Sequence, residues 1–267
     1  MKKVRIRVAP TITKLPDGVA GAVLVTGSHG GAYPASLAAK ARVRALIFHD
    51  AGIGRDEAGI AALNLAFPAA AISHLTARVG DTEDMFARGR VSRSNAAAKA
   101  LGVVHAMPCA MAAVQLGRGE WVDATAPEVA EGRVVLHPEG ARRALVLIDS
   151  AAMVDAEADR GAVIVTGSHG GLVGGDPAMA LRAEGFAAAY HDAGIGIDQA
   201  GLGRLPALEA RGIAAITVAA ASARIGDARS VFEDGVISAA NPTALRLGAV
   251  VGDPARAVLL AWTRLAG

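Results

Sequence analysis

The sequence contains one unit written twice, and this repeat constrains the fold more than any other feature. Residues 21–31 read GAVLVTGSHGG and residues 161–171 read GAVIVTGSHGG, so only one position differs. The same order of motifs continues with HDAGIG at 49–54 and 191–196, and with ARVGD at 77–81 against ARIGD at 223–227. Motifs that recur in a fixed order indicate a repeated structural unit.

The repeat divides the 267 residues into three segments. We predict a first α/β repeat over residues 1–117, a charged linker over 118–143 and a second α/β repeat over 144–267. Each repeat is near the usual size of a domain. With 52% hydrophobic residues, the chain is apolar enough to bury a sizeable core.

The pattern within each copy predicts alternating strands and helices. Short apolar runs at 22–26 and 162–166 are typical of buried strands. Helices are expected at 34–42 and 177–183, each beginning at a proline, whose missing N–H costs nothing in a first turn. This spacing predicts an α/β fold with right-handed crossovers. We expect a tandem duplication of a doubly wound, mostly parallel α/β unit that forms two pseudo-symmetric lobes.

Glycine-rich turns follow the first strand of each copy. In α/β sheets ligands bind at the carboxyl ends of strands, and glycine lets backbone N–H groups approach an anion closely. These turns lack the lysine and the spacing of a phosphate-binding loop. The predicted substrate-binding residues of the turns are Gly27, Ser28, Gly30, Gly31, Gly167, Ser168, Gly170 and Gly171.

Histidine and aspartate recur at the matching strand ends and are the candidate acid-base groups. The predicted catalytic residues are His29, His169, Asp50, Asp192, His49 and His191. Because neighbouring residues of a strand point to opposite faces, we expect His29 to pair with Asp50 and His169 with Asp192. The structural alternatives are a histidine that fastens its own turn and an aspartate that forms an Asx turn.

Arg78 and Arg224 are predicted to bind a substrate carboxylate, because a guanidinium offers a fixed fork of donors. A salt bridge to Asp81 or Asp227 is the structural alternative.

Several residues have structural interpretations instead. Asp81 and Asp227 are expected to cap helices, as are Ser92 and Ser238. Cys109 has alanine as its counterpart in the second copy, so a catalytic thiol is disfavoured.

The GSHGG segment, after a buried strand, resembles the histidine strand of caspase-like cysteine peptidases. The next strand, however, ends in HDAG, where that resemblance requires a cysteine. The resemblance therefore implies no peptidase activity for this chain.

Charge and cysteine content limit the partners. The net charge is +2 and the basic residues are scattered, which argues against nucleic acid and a membrane surface. One cysteine excludes an internal disulfide and favours the cytoplasm. No cofactor is predicted. No metal-ligand spacing occurs, although distant residues could still assemble a metal site. A small-molecule substrate is expected, and a homo-oligomer stays open.

These features together favour a small-molecule enzyme. We expect a hydrolase or lyase that acts on a compact, carboxylate-bearing metabolite with His/Asp acid-base groups and glycine-rich oxyanion loops. A two-base isomerase or racemase at the lobe interface is the first alternative. The second is a non-catalytic bilobal anion-binding or regulatory protein.

Overall fold

The computed structural model describes residues 5–123, 125–126 and 128–266, so the ends of the predicted repeats and two linker positions lie outside the described residues. The N-terminal part forms a five-stranded sheet. Its strands are β1 (Ile6–Ala9), β2 (Val23–His29), β3 (Ala45–His49), β4 (Ala69–Ile72) and β5 (Val91–Ser94). They lie in the order β1-β2-β3-β4-β5, parallel from β1 to β4, with β5 antiparallel to β4.

The C-terminal part forms a six-stranded sheet with the same pairing plus one strand. Its strands are β6 (Arg133–Leu136), β7 (Leu145–Ile148), β8 (Val163–His169), β9 (Ala187–His191), β10 (Ala214–Val218) and β11 (Ile237–Ala240). Strands β7 to β10 are parallel, and β11 and β6 lie antiparallel at the two edges. The predicted α/β class is confirmed as two mixed, mostly parallel sheets. Strand β6 comes from the segment that was predicted to be only a linker.

Helices cover both faces of each sheet, because alternate residues of a strand point to opposite sides. In β2, Val23 and Val25 pack in one buried cluster and Leu24 packs in another. The first sheet carries α1 (Ala32–Lys40), α2 (Thr82–Arg88), α3 (Ala96–Ala100) and α4 (Cys109–Leu116). The second sheet carries α5 (Arg204–Glu209), α6 (Ala228–Glu233), α7 (Pro242–Arg246) and α8 (Ala255–Arg264). We call each sheet with its helices a lobe.

The strands of both sheets follow chain order, which differs from the predicted doubly wound arrangement. A doubly wound sheet reverses its strand order at a switch point, and the ligand binds in the crevice formed there. Neither sheet has such a reversal among the described residues. A ligand crevice must therefore come from somewhere other than the middle of one sheet.

The predicted helix over 177–183 is absent. Two short 3-10 turns, Val173–Gly175 and Pro177–Met179, occupy the region that corresponds to α1 in the first lobe. Gly174 and Gly175 have φ values of +63° and +72°, and such left-handed backbone does not continue a helix.

Helix caps agree with the sequence at two of the four predicted positions. Asp81 and Asp227 cap α2 and α6, accepting from backbone N–H groups three residues on. The predicted caps Ser92 and Ser238 are wrong, because Asn95 and Asn241 cap α3 and α7. Ser92 instead donates to the carbonyl of Ala71.

The lobes meet through matching contacts from their HDAGIG segments. Arg55 N donates to Ala220 O, and its counterpart Ile197 N donates to His74 O, both at 2.8 Å. A Cβ on Gly52 would lie 2.7 Å from Gly194 Cα, so the two backbones touch. A small buried cluster beside them contains Ala51, Val79, Ala193 and Ile225. No helix of the described residues is long and apolar enough to span a membrane.

Candidate functional site

A cleft of about 680 Å³ lies where the two lobes face each other, lined by residues from both. It is formed at the carboxyl ends of β1 and β2 on one side and of β7 and β8 on the other. Such a volume suits a small molecule. The lining residues whose chemistry matters here are Lys14, His29, Tyr33, Glu131, His169, Arg182, Arg204 and Arg224.

His29 and His169 end β2 and β8 and line the same cleft from opposite lobes. Each ring lies against a glycine of the other lobe. A Cβ on Gly226 would lie 3.4 Å from His29 Cε1, and one on Gly80 would lie 3.3 Å from His169 Cε1. Glycine at these two positions therefore lets each imidazole approach the opposite lobe.

The backbone fixes the protonation of His29. Gly31 N donates to Nδ1 of His29 at 3.1 Å, so Nδ1 is an acceptor and the neutral ring carries its hydrogen on Nε2. Burial, together with His191 and His49 nearby, lowers the pKa of His29 to about 3. The ring is therefore neutral at pH 7, a hydrogen-bond donor and a weak base.

His169 has a similar setting. Burial, and then the neighbouring Arg204 and His29, hold its pKa well below the usual value. Its Nδ1 is buried with no hydrogen-bond partner among the described residues. It is therefore also a neutral imidazole at pH 7.

The predicted catalytic role of His49 and His191 is not supported by their positions, because both rings are buried and fully engaged. His49 Nδ1 accepts from Ala51 N and His49 Nε2 lies 2.9 Å from Ala77 O. His191 makes the same two contacts, with Ala193 N and Ala223 O. Burial lowers the pKa of both rings. Each ring fastens its strand to the next loops. The structural alternative given for His29, a contact with its own turn, is also present, because its Nδ1 accepts from Gly31 N.

The predicted pairs of His29 with Asp50 and of His169 with Asp192 are wrong. Asp50 instead pairs with His74, whose Nδ1 lies 2.9 Å from Asp50 Oδ1. Burial alone would raise the pKa of Asp50, but the hydrogen bond to His74 and the nearby His49 together outweigh it, and the pKa is lowered.

The two aspartates also form the Asx turns of the structural alternative. Asp50 accepts from Gly52 N, and Asp192 accepts from Gly194 N and Ala220 N. Alanine at position 220 replaces His74 in the second lobe, so Asp192 has no matching histidine.

The glycine-rich turns hold the site but do not present the predicted row of free amides. Gly30 N donates to Gly59 O and Gly170 N donates to His191 O. Glycine is required there by space, because a Cβ on Gly170 would lie 2.3 Å from Gly201 O. The N–H groups of Gly30, Gly31 and Gly170 are therefore engaged and do not form a free oxyanion nest.

The serines of these turns hold the neighbouring loops in place. Ser28 Oγ accepts from Ile12 N at 3.0 Å, and Ser168 Oγ accepts from Ala151 N at 2.9 Å. Both serines also line the cleft. They position the loops that follow β1 and β7.

Arg78 and Arg224 form the salt bridges of the structural alternative. Arg78 Nη2 lies 3.0 Å from Asp81 and 3.1 Å from Asp84. Arg224 lies 3.2 Å from Asp227 and bridges the lobes at 3.0 Å from Asp56. Of the two, only Arg224 lines the cleft.

The structure brings residues into the cleft that the sequence did not single out. Glu131, from the predicted linker, lies beside Tyr33 of the first lobe and Ser150 of the second. Burial raises the pKa of both Glu131 and Tyr33. No repeat motif marks Glu131, since it has no counterpart in the other copy.

Two further chemistries are not supported by geometry. Cys109 is buried at the start of α4, and burial raises the pKa of its thiol to about 12, the reverse of an activated thiolate. Within the described ranges, no group of three His, Cys, Asp or Glu side chains is placed to hold a metal ion.

Comparisons with protein-family models, curated proteins and solved structures each found no match to the chain.

Proposed function

We propose that the protein is a small-molecule enzyme, a hydrolase or lyase that acts on a compact, carboxylate-bearing metabolite in the cleft between its lobes. One observation carries the proposal: His29 and His169 reach a single small-molecule cleft from opposite lobes. The recurrence of the motifs and the shared strand order support a tandem duplication that produced two pseudo-symmetric halves.

The proposed role of the two histidines is to donate hydrogen bonds rather than to accept protons. A base with a pKa near 3 abstracts protons weakly at pH 7, whereas a neutral imidazole polarises a carbonyl well. The Nε2–H of His29 would stabilise negative charge that develops on a substrate oxygen. His29 would thus have the oxyanion-stabilising role that the sequence predicted for the backbone amides of the glycine-rich turns.

Glu131 is the proposed proton-transfer group. A carboxyl whose pKa is raised toward the working pH exchanges protons more effectively than an ordinary surface glutamate. It lies in the cleft beside Tyr33, whose hydroxyl would hydrogen-bond to it or to the substrate. In this proposal Glu131, from the predicted linker, has the acid-base role that the sequence predicted for Asp50 and Asp192.

Single substitutions test the proposal. Purified wild type is incubated with a panel of esters, amides and hydroxy acids that carry one carboxylate, and product formation is followed by NMR. With any substrate turned over, H29A and H169A, which remove the N–H donor, should each reduce kcat at least a hundredfold, the usual cost of removing one oxyanion donor. E131Q should remove the limb of the pH profile that reflects Glu131.

The exposed His137 provides the matched control, because H137A changes a histidine outside the cleft. Turnover that survives both H29A and H169A in folded protein contradicts the proposal. Release of an anion chemically unchanged, with no turnover of the panel, would favour the binding-protein alternative.

A two-base isomerase is the second candidate, favoured by the positions of His29 and His169 on opposite walls. It requires a bound substrate to raise the pKa of both histidines from the low values that burial sets. Incubation in deuterated water separates the two classes. Solvent deuterium in recovered substrate would indicate proton abstraction without cleavage.

A further inference from the structure

The second lobe carries a buried arginine at the cleft that has no equivalent in the first. Arg204 is 4% exposed and lines the cleft. Aligning the two copies on Gly59 and Gly201 places Ala62 at the corresponding position. The guanidinium lies 4.9 Å from the ring centre of Tyr190, which replaces Phe48 of the first lobe.

Within the described residues, Arg204 contacts backbone carbonyls and the neutral side chain of Tyr190, and no carboxylate pairs with it. Its Nε donates to His169 O and Gly171 O, and its Nη1 donates to the carbonyls of Met179 and Ala180. Carbonyl dipoles satisfy hydrogen-bond donors but do not neutralise a charge. A buried cation without a counter-ion is costly, and an anion in the adjoining cleft would offset that cost.

Arg182 places a second cation on the same wall. It lies two residues beyond Ala180, and its Nη1 donates to the carbonyls of Ala152 and Val154, again with no carboxylate partner in the described part of the chain. The first-lobe wall opposite holds Tyr33, with the carboxyl of Glu131 beside it. The cleft lining also includes Lys14 of the first lobe and Asp149 and Asp227 of the second. The second-lobe wall is therefore distinguished by a buried arginine, Arg204, and not by its net charge.

We infer that the second-lobe wall is an anion subsite in which Arg182 and Arg204 hold the carboxylate of the ligand. The inference rests on the proposed function and adds an orientation to it. The charged end of the substrate lies at Arg182 and Arg204, next to His169. The reacting end lies between the two histidines, toward Tyr33 and Glu131.

Titration with succinate, at constant ionic strength against chloride, tests the subsite directly. The Cε1–H signals of the histidines are followed by NMR and assigned with H29Q and H169Q. Succinate should saturate and shift the His169 signal more than the His29 signal. R182Q should raise the Kd for succinate about tenfold, as expected for losing one charge-assisted contact.

The matched control is R229Q, an exposed arginine of α6 outside the cleft, which should leave the Kd unchanged. R204K retains the charge and loses the geometry of the carbonyl contacts, so it should bind succinate within a few-fold of wild type while being less stable. The inference is overturned by no binding, by equal Kd values in wild type and R182Q, or by shifts confined to His29. Succinate binding without turnover of any panel substrate would keep the subsite and contradict only the enzymatic proposal.

Discussion

Histidine plays two different parts in this molecule, and the neighbours of its two ring nitrogens decide which. His49 and His191 have both nitrogens engaged with backbone, so they can only hold loops together. His29 has one nitrogen engaged and lines the cleft. The sequence marks all of them equally, because it records the residue and not the groups around it.

The buried histidines should make stability depend on pH. The pKa values of His29, His49, His169 and His191 are all lowered on folding, so below pH 6.5 the unfolded chain binds more protons. Stability is then fully present above about pH 6.5 and falls as the pH drops toward 3. Each histidine adds a slope of about 1.4 kcal/mol per pH unit.

Urea unfolding at several values between pH 8 and pH 5 measures this slope. H29Q should lower the slope by up to about 1.4 kcal/mol per pH unit, the contribution of one proton. H137Q, at an exposed position, should leave the slope unchanged. A free energy of unfolding that stays constant down to pH 5 would contradict the buried neutral state.

Glycine at position 201 is required by a close approach of two backbone segments. A Cβ there would lie 1.8 Å from Asp192 O, which cannot move without breaking the turn. We expect G201A to lower the free energy of unfolding by about 3 kcal/mol or more, as overpacking does in cores. G203A is the control, because its Cβ would meet only ordinary contact, 3.4 Å from Leu172 Cγ. Equal midpoints of chemical unfolding for the two variants would show the approach to be unimportant.

Among the elements, the largest difference between the lobes is the missing helix of the second lobe. Helix α1 satisfies its own carbonyls through its hydrogen-bond ladder. The irregular segment that replaces it relies on side chains: Arg204 binds Met179 O and Ala180 O, and Arg211 binds the carbonyls of Leu181 and Ala183. Two arginines thus replace the helical hydrogen bonds.

This substitution explains where the sequence predicted the elements and where it did not. The strands β2 and β8 and their loops followed from apolar runs repeated in both copies. The helix at 177–183 was wrongly expected because Pro177 starts a turn as readily as a helix, and the arginines that stabilise the turn lie more than 20 residues away. Strand β6 was missed because its four residues are all exposed and only its pairing with β7 makes it a strand.

Removing Arg204 should therefore unfold the irregular segment at residues 172–183 before the rest of the second lobe unfolds. R204M leaves several buried carbonyls without donors, which should cost about 3 kcal/mol of unfolding free energy. Hydrogen exchange should show lost protection at residues 172–183 while β8 stays protected. R229Q again serves as the control, since Arg229 is exposed on α6. A loss below about 1 kcal/mol would show that the carbonyls find other donors.

At the scale of the whole molecule, the site depends on how the lobes meet. Each lobe has its own buried clusters, and the cleft takes its walls from both. The lobes join through the HDAGIG segments and through ion pairs such as Arg224 with Asp56. Because the HDAGIG segments recur in both copies, the sequence predicted that they hold catalytic residues. Their observed position at the lobe contact gives an additional reason for their matching sequence, because both lobes contribute the same surface to one interface.

The Gly52–Gly194 contact offers a test of this interface. A Cβ on Gly194 would lie 2.8 Å from Gly52 Cα and 2.9 Å from His74 Cδ2, so G194A should push the lobes apart. Gly194 also has a φ of +75°, a left-handed conformation that is strained for alanine. The matched control is G212A, because Gly212 has a φ of +69°, open space around its Cβ position and a backbone bond only within its own lobe. The difference between the two variants isolates the contact from the backbone strain.

We expect G194A to lose about 1–3 kcal/mol more stability than G212A, a typical cost of forcing an atom into a packed contact. Because the lobes have separate cores, weakening their contact should also split the single calorimetric transition expected of wild type into two. Succinate binding should weaken in the same variant, since the cleft takes its walls from both lobes. Equal stability losses, with one transition in both variants, would show that the glycine contact does not hold the cleft together.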